Sequence, residues 1–229
     1  MTRVGEQGLE GRASHDHDDA LHTWLSFKGE DILVDTGSKP YSLDKIIRNN
    51  CIVSSAHNVL KVKSKERFMP SQGSIVKTIR GASVASNHSH LTFEEQCILV
   101  ANLDIQENSD FDAVKRIIKT SKVNLKYLCE LNDSWELIAV SKTEIYWRFP
   151  ISKTPTILKD DRKSKKIIFN VNNFNVEIIF EASIDFNLEI FSFDFSSKYG
   201  SKNLCYGAHL VFNKSVKGQA FCKVYIDEV

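Results

Sequence analysis

Between Lys166 and Ile226 the apolar residues return at every second position, strand after strand, with turn-forming residues between the runs. Phe191, Phe193 and Phe195 alternate with Ser192 and Asp194, which puts an aromatic row on one face of an extended segment and a polar row on the other. An amphipathic helix needs a period near 3.6, and this stretch does not carry it. The runs Lys166–Asn170, Asn175–Glu181, Phe186–Phe195, Ala208–Phe212 and Gln219–Ile226 therefore read as strands. Asn172-Asn173, Tyr199-Gly200-Ser201 and Lys217-Gly218 read as the turns between them. Many short strands joined by turns predict an all-β fold, a two-layered antiparallel β-sandwich.

The first half of the chain is less regular. Ala20–Phe27 alternates Leu21, Leu25 and Phe27 against His22 and Trp24 and is predicted as a strand. Lys28-Gly29-Glu30-Asp31 is a turn signal, and Asp31–Asp35 a returning strand. Val59–Val62 and Ser74–Ile79 are further strand candidates, with a charged loop over Lys63–Gly73 that holds Pro70 and Gly73. In Asp110–Lys119, Val114, Ile117 and Ile118 fit a short helix capped by Asp110, with a strand as the close alternative. The lysine-rich stretch Lys159–Lys166 is expected to be a solvated loop.

Composition narrows the classes of function. The 229 residues contain 30 Lys and Arg against 29 Asp and Glu, a net charge of +1, so neither a nucleic-acid footprint nor an anionic-membrane patch is indicated. No apolar run is long enough to span a membrane. Cys51, Cys97, Cys129, Cys205 and Cys222 show no paired spacing, and Cys97 and Cys222 sit in apolar runs as expected buried thiols. Residues 1–14 (MTRVGEQGLEGRAS) are polar, without the apolar core of a secretory signal, and form an irregular N-terminal segment ahead of a single domain over 15–229.

The residues with chemistry cluster in the first quarter: His15-Asp16-His17-Asp18-Asp19, then Asp35-Thr36-Gly37, then Ser54-Ser55-Ala56-His57-Asn58. Neutral imidazole and carboxylate together are a zinc-type donor set. Taken one at a time, His17 reads as a solvated loop residue, Asp35 as a turn cap before Gly37, and His57 as a half-buried core histidine. Seven residues separate His17 from Trp24, roughly 23 Å if extended at about 3.3 Å per residue, so a regular hairpin closed at Gly29-Glu30 cannot carry His17 to Asp35. A common site requires His15–Asp19 to be an irregular loop that folds back. His88-Ser89-His90 reads as a polar turn, and His22 and His209 as ordinary sheet residues.

The ordered set from His15 to about Val62 resembles the start of the C-terminal domain of heparinase II/III-like polysaccharide lyases. The likeness rests on the His-x-His-x-Asp opening, on Gly29, on Leu33-Val34-Asp35-Thr36-Gly37 and on Ala56-His57-Asn58. Asp16 departs from the small residue usual between the two histidines. Beyond residue 62 the likeness is loose, confined to the strand-rich pattern and Tyr146-Trp147-Arg148-Phe149-Pro150. The resemblance implies a double-layered β-domain with a structural zinc held by His17, Asp35 and His57, completed by water or Asp19. It implies that His15 faces a cleft and takes part in β-elimination of an acidic, uronate-containing polysaccharide. The tyrosine acid/base of such lyases belongs to a helical toroid domain, which no part of this chain reads as. The isolated chain is therefore expected to turn over little, and a location in the cell envelope, periplasm or outside the cell is implied. The alternative is a non-catalytic carbohydrate-binding or scaffolding β-sandwich with a structural metal, for which Trp24, Trp135 and Trp147 are the stacking candidates. A metal-dependent hydrolase of the His-x-His barrel kind would need strands alternating with helices, which the β-rich C-terminus argues against.

Overall fold

The computed structural model describes residues 1, 17–37, 51–63, 65, 84–93, 96–104, 110–123, 126–196 and 203–228. The strands are β1 Leu25–Phe27, β2 Glu30–Leu33, β3 Lys61–Val62, β4 Val84–Phe93, β5 Gln96–Asp104, β6 Phe111–Val123 and β7 Lys126–Ser141. They continue with β8 Thr143–Phe149, β9 Thr156–Asp160, β10 Ser164–Val171, β11 Phe174–Ala182, β12 Phe186–Phe195, β13 Asn203–Phe212 and β14 Ser215–Glu228. One turn of 3-10 helix spans Ser54–Ala56, and no α-helix occurs among the described residues.

Two antiparallel layers face each other, as the alternation predicts. One is eight-stranded, in the order β4-β5-β6-β7-β14-β11-β10-β9; the other is four-stranded, β12-β13-β8-β3. The period of two decides which side chains meet. In β10 and β11 the inward row is Ile167, Phe169, Val171, Val176, Ile178 and Phe180, and the intervening residues lie nearer solvent. The opposite layer supplies Ile145, Trp147, Phe149, Leu210 and Phe212. Rings cross the interface at Trp147–Phe180 (6.1 Å between centroids), Phe149–Phe169 (4.7 Å) and Trp135–Phe212 (5.2 Å). Burial of this apolar row, at roughly 1.5–3 kcal/mol per large side chain, is what holds the layers together.

Several segments differ from their sequence reading, each for an identifiable reason. Asp110–Lys119 is not a helix but part of β6, whose inward row is Val114, Arg116 and Ile118. An arginine in the middle of that row disguised the period of two. Lys217-Gly218 is not a turn: it lies in β14, where Gly218 pairs with Trp135 and makes room for the indole. A Cβ on Gly218 would overlap the Trp135 ring. Lys159–Lys166 is not a loop but β9, the start of β10 and the short connection between them. β9 is an exposed edge strand, and its Lys159 and Asp160 are the charges with which edges avoid unwanted pairing.

The strand predicted over Ala20–Phe27 is real only from Leu25, and the hairpin turn is Lys28-Gly29, both at positive φ, rather than Gly29-Glu30. His88-Ser89-His90 lies in β4 rather than in a turn. Trp135 and Trp147 are core residues and cannot stack on a ligand, while half-buried Trp24 donates its Nε1–H to Asp31 Oδ1 at 2.8 Å. Ser74–Ile79 and Tyr199-Gly200-Ser201 lie outside the described residues.

Candidate metal centre

Three separate segments meet on one side of the four-stranded layer. The first, His17–Trp24, is irregular: His22 N–H closes a turn onto Asp19 O (2.7 Å), and Leu21 sits at φ 72°. A leucine in the left-handed region costs of the order of 1 kcal/mol or more and needs surroundings that enforce it. Its side chain is buried in the core, and its carbonyl accepts a hydrogen bond from Arg116 at 2.7 Å. The backbone thus doubles back where a strand would have carried His17 away from Asp35, as the distance argument requires.

The second segment follows β2. Val34 bridges to Arg148 on β8, and Gly37 bridges to Ser196 beyond β12, so Asp35 is anchored on both sides. Gly37 has φ 69°, and a Cβ there would strike the Ser196 carbonyl. Asp35 does cap this turn, with Oδ1 accepting the Gly37 N–H at 2.6 Å. Its other oxygen, Oδ2, lies 3.8 Å from His57 Nδ1. One carboxylate is therefore able to hold the turn with one oxygen and serve as a ligand with the other.

The third segment is the 3-10 turn Ser54–Ala56 running into His57 and Asn58. Asp18 N–H donates to Ile52 O (2.7 Å), joining it to the first segment, and Arg148 donates to Ser55 O (2.6 Å), joining it to β8. His57 has 0% exposure, its ring centroid 5.2 Å from that of His17 and 5.2 Å from that of His22.

His17, Asp35 and His57 each present one ligand atom, and these atoms all lie within 4.8 Å of one another. Tetrahedral bonds of about 2.0–2.1 Å would put ligand atoms about 3.3–3.4 Å apart, so the triangle needs only to contract around an ion. Two imidazoles and a carboxylate carry the donor chemistry of a zinc site. The three residues fit a single divalent ion. His15, the residue read as facing a cleft, lies outside the described residues.

Residues 1–98 match the family model for the heparinase II/III-like C-terminal region, a stretch that contains all three converging residues. That first part of the chain is similar to heparinase II/III-like C-terminal regions. No curated protein sequence matches it. Solved structures extend the likeness to the whole fold: a heparinase III with methylated lysines superposes with a TM-score of 0.70 at 14% identity, over 100% of this chain and 32% of that one. A second heparinase III structure gives 0.68 at 17% identity, covering 97% and 32%. The heparan sulfate lyase HepC from Pedobacter heparinus gives 0.68 at 15%, covering 94% and 31%. The chain thus spans about a third of the length of these structures.

Around His17, Asp35 and His57 the structure adds residues that the sequence reading passed over. His22 is not a sheet residue: it lies in the irregular segment, buried, with Nδ1 accepting the Asn58 N–H at 3.1 Å. Burial, reinforced by the Arg116 and Arg148 charges, lowers its pKa to about 3, so the ring is neutral at physiological pH. With Nδ1 as acceptor, the proton of the neutral ring sits on Nε2. Arg116 and Asp133 face each other across β6 and β7 as a buried bidentate pair at 2.6 and 2.7 Å. A charged residue at an inward position of a strand was the signal available for both.

Proposed function

We propose that this domain is the C-terminal part of a polysaccharide lyase that cleaves uronate-containing polysaccharide by β-elimination, acting in the cell envelope or outside the cell, with a structural zinc at His17, Asp35 and His57. The observation that carries the reading is the convergence of three distant ligand-type residues inside the stretch matched by the family model. The ion would pin the irregular His17–Trp24 segment and the His57 turn to the four-stranded layer, a role in which metal-binding energy becomes folding energy. In this reading residues 15–229 act as one domain, and His15, two positions before the first ligand, reaches the sugar.

β-Elimination removes a weakly acidic proton beside a carboxylate and protonates the leaving oxygen, which requires a base and an acid in hydrogen-bond reach of the substrate. His15 is one candidate, and a helical partner domain would supply the rest. Losing a proton-transfer partner typically lowers the rate about 10²–10⁴-fold. The 229-residue chain alone is therefore expected to give little ultraviolet-absorbing unsaturated product from heparan sulfate, alginate or related uronates. Robust, His15-dependent product from the chain alone would contradict this. Elemental analysis of protein purified without chelator tests the metal: one ion per chain is expected, lost in His57→Ala, and metal-free native protein of full stability would overturn it.

A further inference from the structure

Asn58 directly follows His57 and joins the His22–Thr23 segment to Arg116 on β6 through four hydrogen bonds. Its Oδ1 accepts the Thr23 N–H at 2.8 Å and an Arg116 N–H at 3.0 Å, and its Nδ2 donates to Thr23 O at 2.7 Å. A side-chain amide here pairs with a backbone residue on both sides, as a neighbouring strand would. Its own backbone N–H donates to His22 Nδ1 at 3.1 Å, and the His22 ring lies edge-on to His57. Behind it, Arg116 is fixed by the two bonds to Asp133, reaches Leu21 O, and lies 5.6 Å over the Trp147 ring.

The geometry points to Asn58, held by the Arg116–Asp133 pair, as the positioning residue of the metal centre. The inference rests on the metal reading above. It adds that the Asn58 bonds align the two ligand-bearing segments and leave the ion less backbone to order. Without the Asn58 side chain, the Thr23 backbone loses both of its bonds to the amide, and the His17–Thr23 segment is tied to the His57 turn by fewer contacts, among them the Asp18 N–H to Ile52 O and the residue-58 N–H to His22 Nδ1. The ion would then have to order that backbone itself, at about 1–2 kcal/mol for each residue fixed. Arg116 is a rigid fork whose Nε and Nη2 hold Asp133 while Nη1 reaches both sides of the junction, at Leu21 O and Asn58 Oδ1, a geometry that lysine cannot reproduce. Outer partners of metal ligands typically contribute 10–100-fold in affinity.

Zinc affinity, measured by competition with a chromogenic chelator, and the visible spectrum of the cobalt(II)-loaded protein test this in four proteins: wild type, Asn58→Ala, Asn58→Asp and Ile178→Ala. Both Asn58 variants are expected to bind about 10–100-fold more weakly with an altered cobalt spectrum. Asn58→Asp, which keeps the acceptor for Arg116, carries the test if Asn58→Ala does not fold. Ile178→Ala, at a buried position of β11, is expected to lower the melting temperature and leave affinity and spectrum unchanged. Wild-type affinity and spectrum in the Asn58 variants would overturn the positioning role and leave the metal site standing. Affinity that falls in Ile178→Ala in proportion to stability would overturn it as well, by reducing Asn58 to a structural residue. A wild type that takes up no ion would overturn both the metal reading and this one.

Discussion

The sheet β10-β11-β14 and the junction of His17–Trp24 with Ser54–Asn58 lie in one domain but are held together by opposite means. In the sheet, Val176, Ile178, Phe180, Cys222 and Val224 are buried in alternation, and backbone ladders satisfy the polar groups. In the junction the backbone is irregular, and side chains from elsewhere take over the ladder's work: Asn58 on Thr23, Arg116 on Leu21, Arg148 on Ser55. Apolar packing tolerates approximate shape and degrades gradually. A buried polar network fails sharply, because each lost partner leaves another group unsatisfied. A region built for geometry is therefore more brittle than one built for stability.

The sharpest way to break that contrast is a pair of truncations. Phe180→Ala in the sheet and Arg116→Met at the junction are each expected to cost about 3–5 kcal/mol, the first as a cavity and the second as an uncompensated buried Asp133. Urea unfolding measures both. They should separate in metal binding, which Phe180→Ala keeps and Arg116→Met weakens. Equal loss of metal in the two would erase the distinction.

Acid probes the junction through His22. His22 has a folded pKa of about 3 against an ordinary 6.5, so between those values the unfolded chain binds the proton and the folded one does not. Stability contributed by His22 is thus complete above pH 6.5 and declines toward pH 3, by several kcal/mol across the window. Urea titrations in chelator at pH 7 and pH 5 should show a smaller loss in His22→Gln than in wild type. An identical loss would assign the acid sensitivity elsewhere.

Gly218→Ala gives a smaller effect, about 1–3 kcal/mol, by forcing a methyl into the Trp135 ring. It should appear as a lowered urea midpoint together with a shifted tryptophan emission. Lys28→Ala, which removes a surface ion pair to Glu228 at 2.6 Å, is expected to leave the melting temperature unchanged.

The same contrast explains what could be read from the sequence. β10, β11 and β12 were legible almost to the residue, because burial alone imposes a period of two there. The stretch Asp110–Lys119 left helix and strand open because Arg116, an inward residue with a partner one strand away, breaks the apolar period of two. Leu21 and Asn58 were opaque for a related reason: a left-handed leucine and an amide acting as a strand are chosen by tertiary partners, not by local propensity. The three candidate ligands were visible only as an ordered set matching a family, since nothing in their spacing places them within 4.8 Å of each other.

Amide hydrogen exchange with and without chelator tests most directly whether an ion holds the junction while packing holds the sheet. Removal of the metal is expected to lower the protection of the His17–Thr23 and Ser54–Asn58 amides and to leave β10, β11 and β14 as protected as before. Unchanged exchange at the junction, or an even loss across both regions, would contradict it.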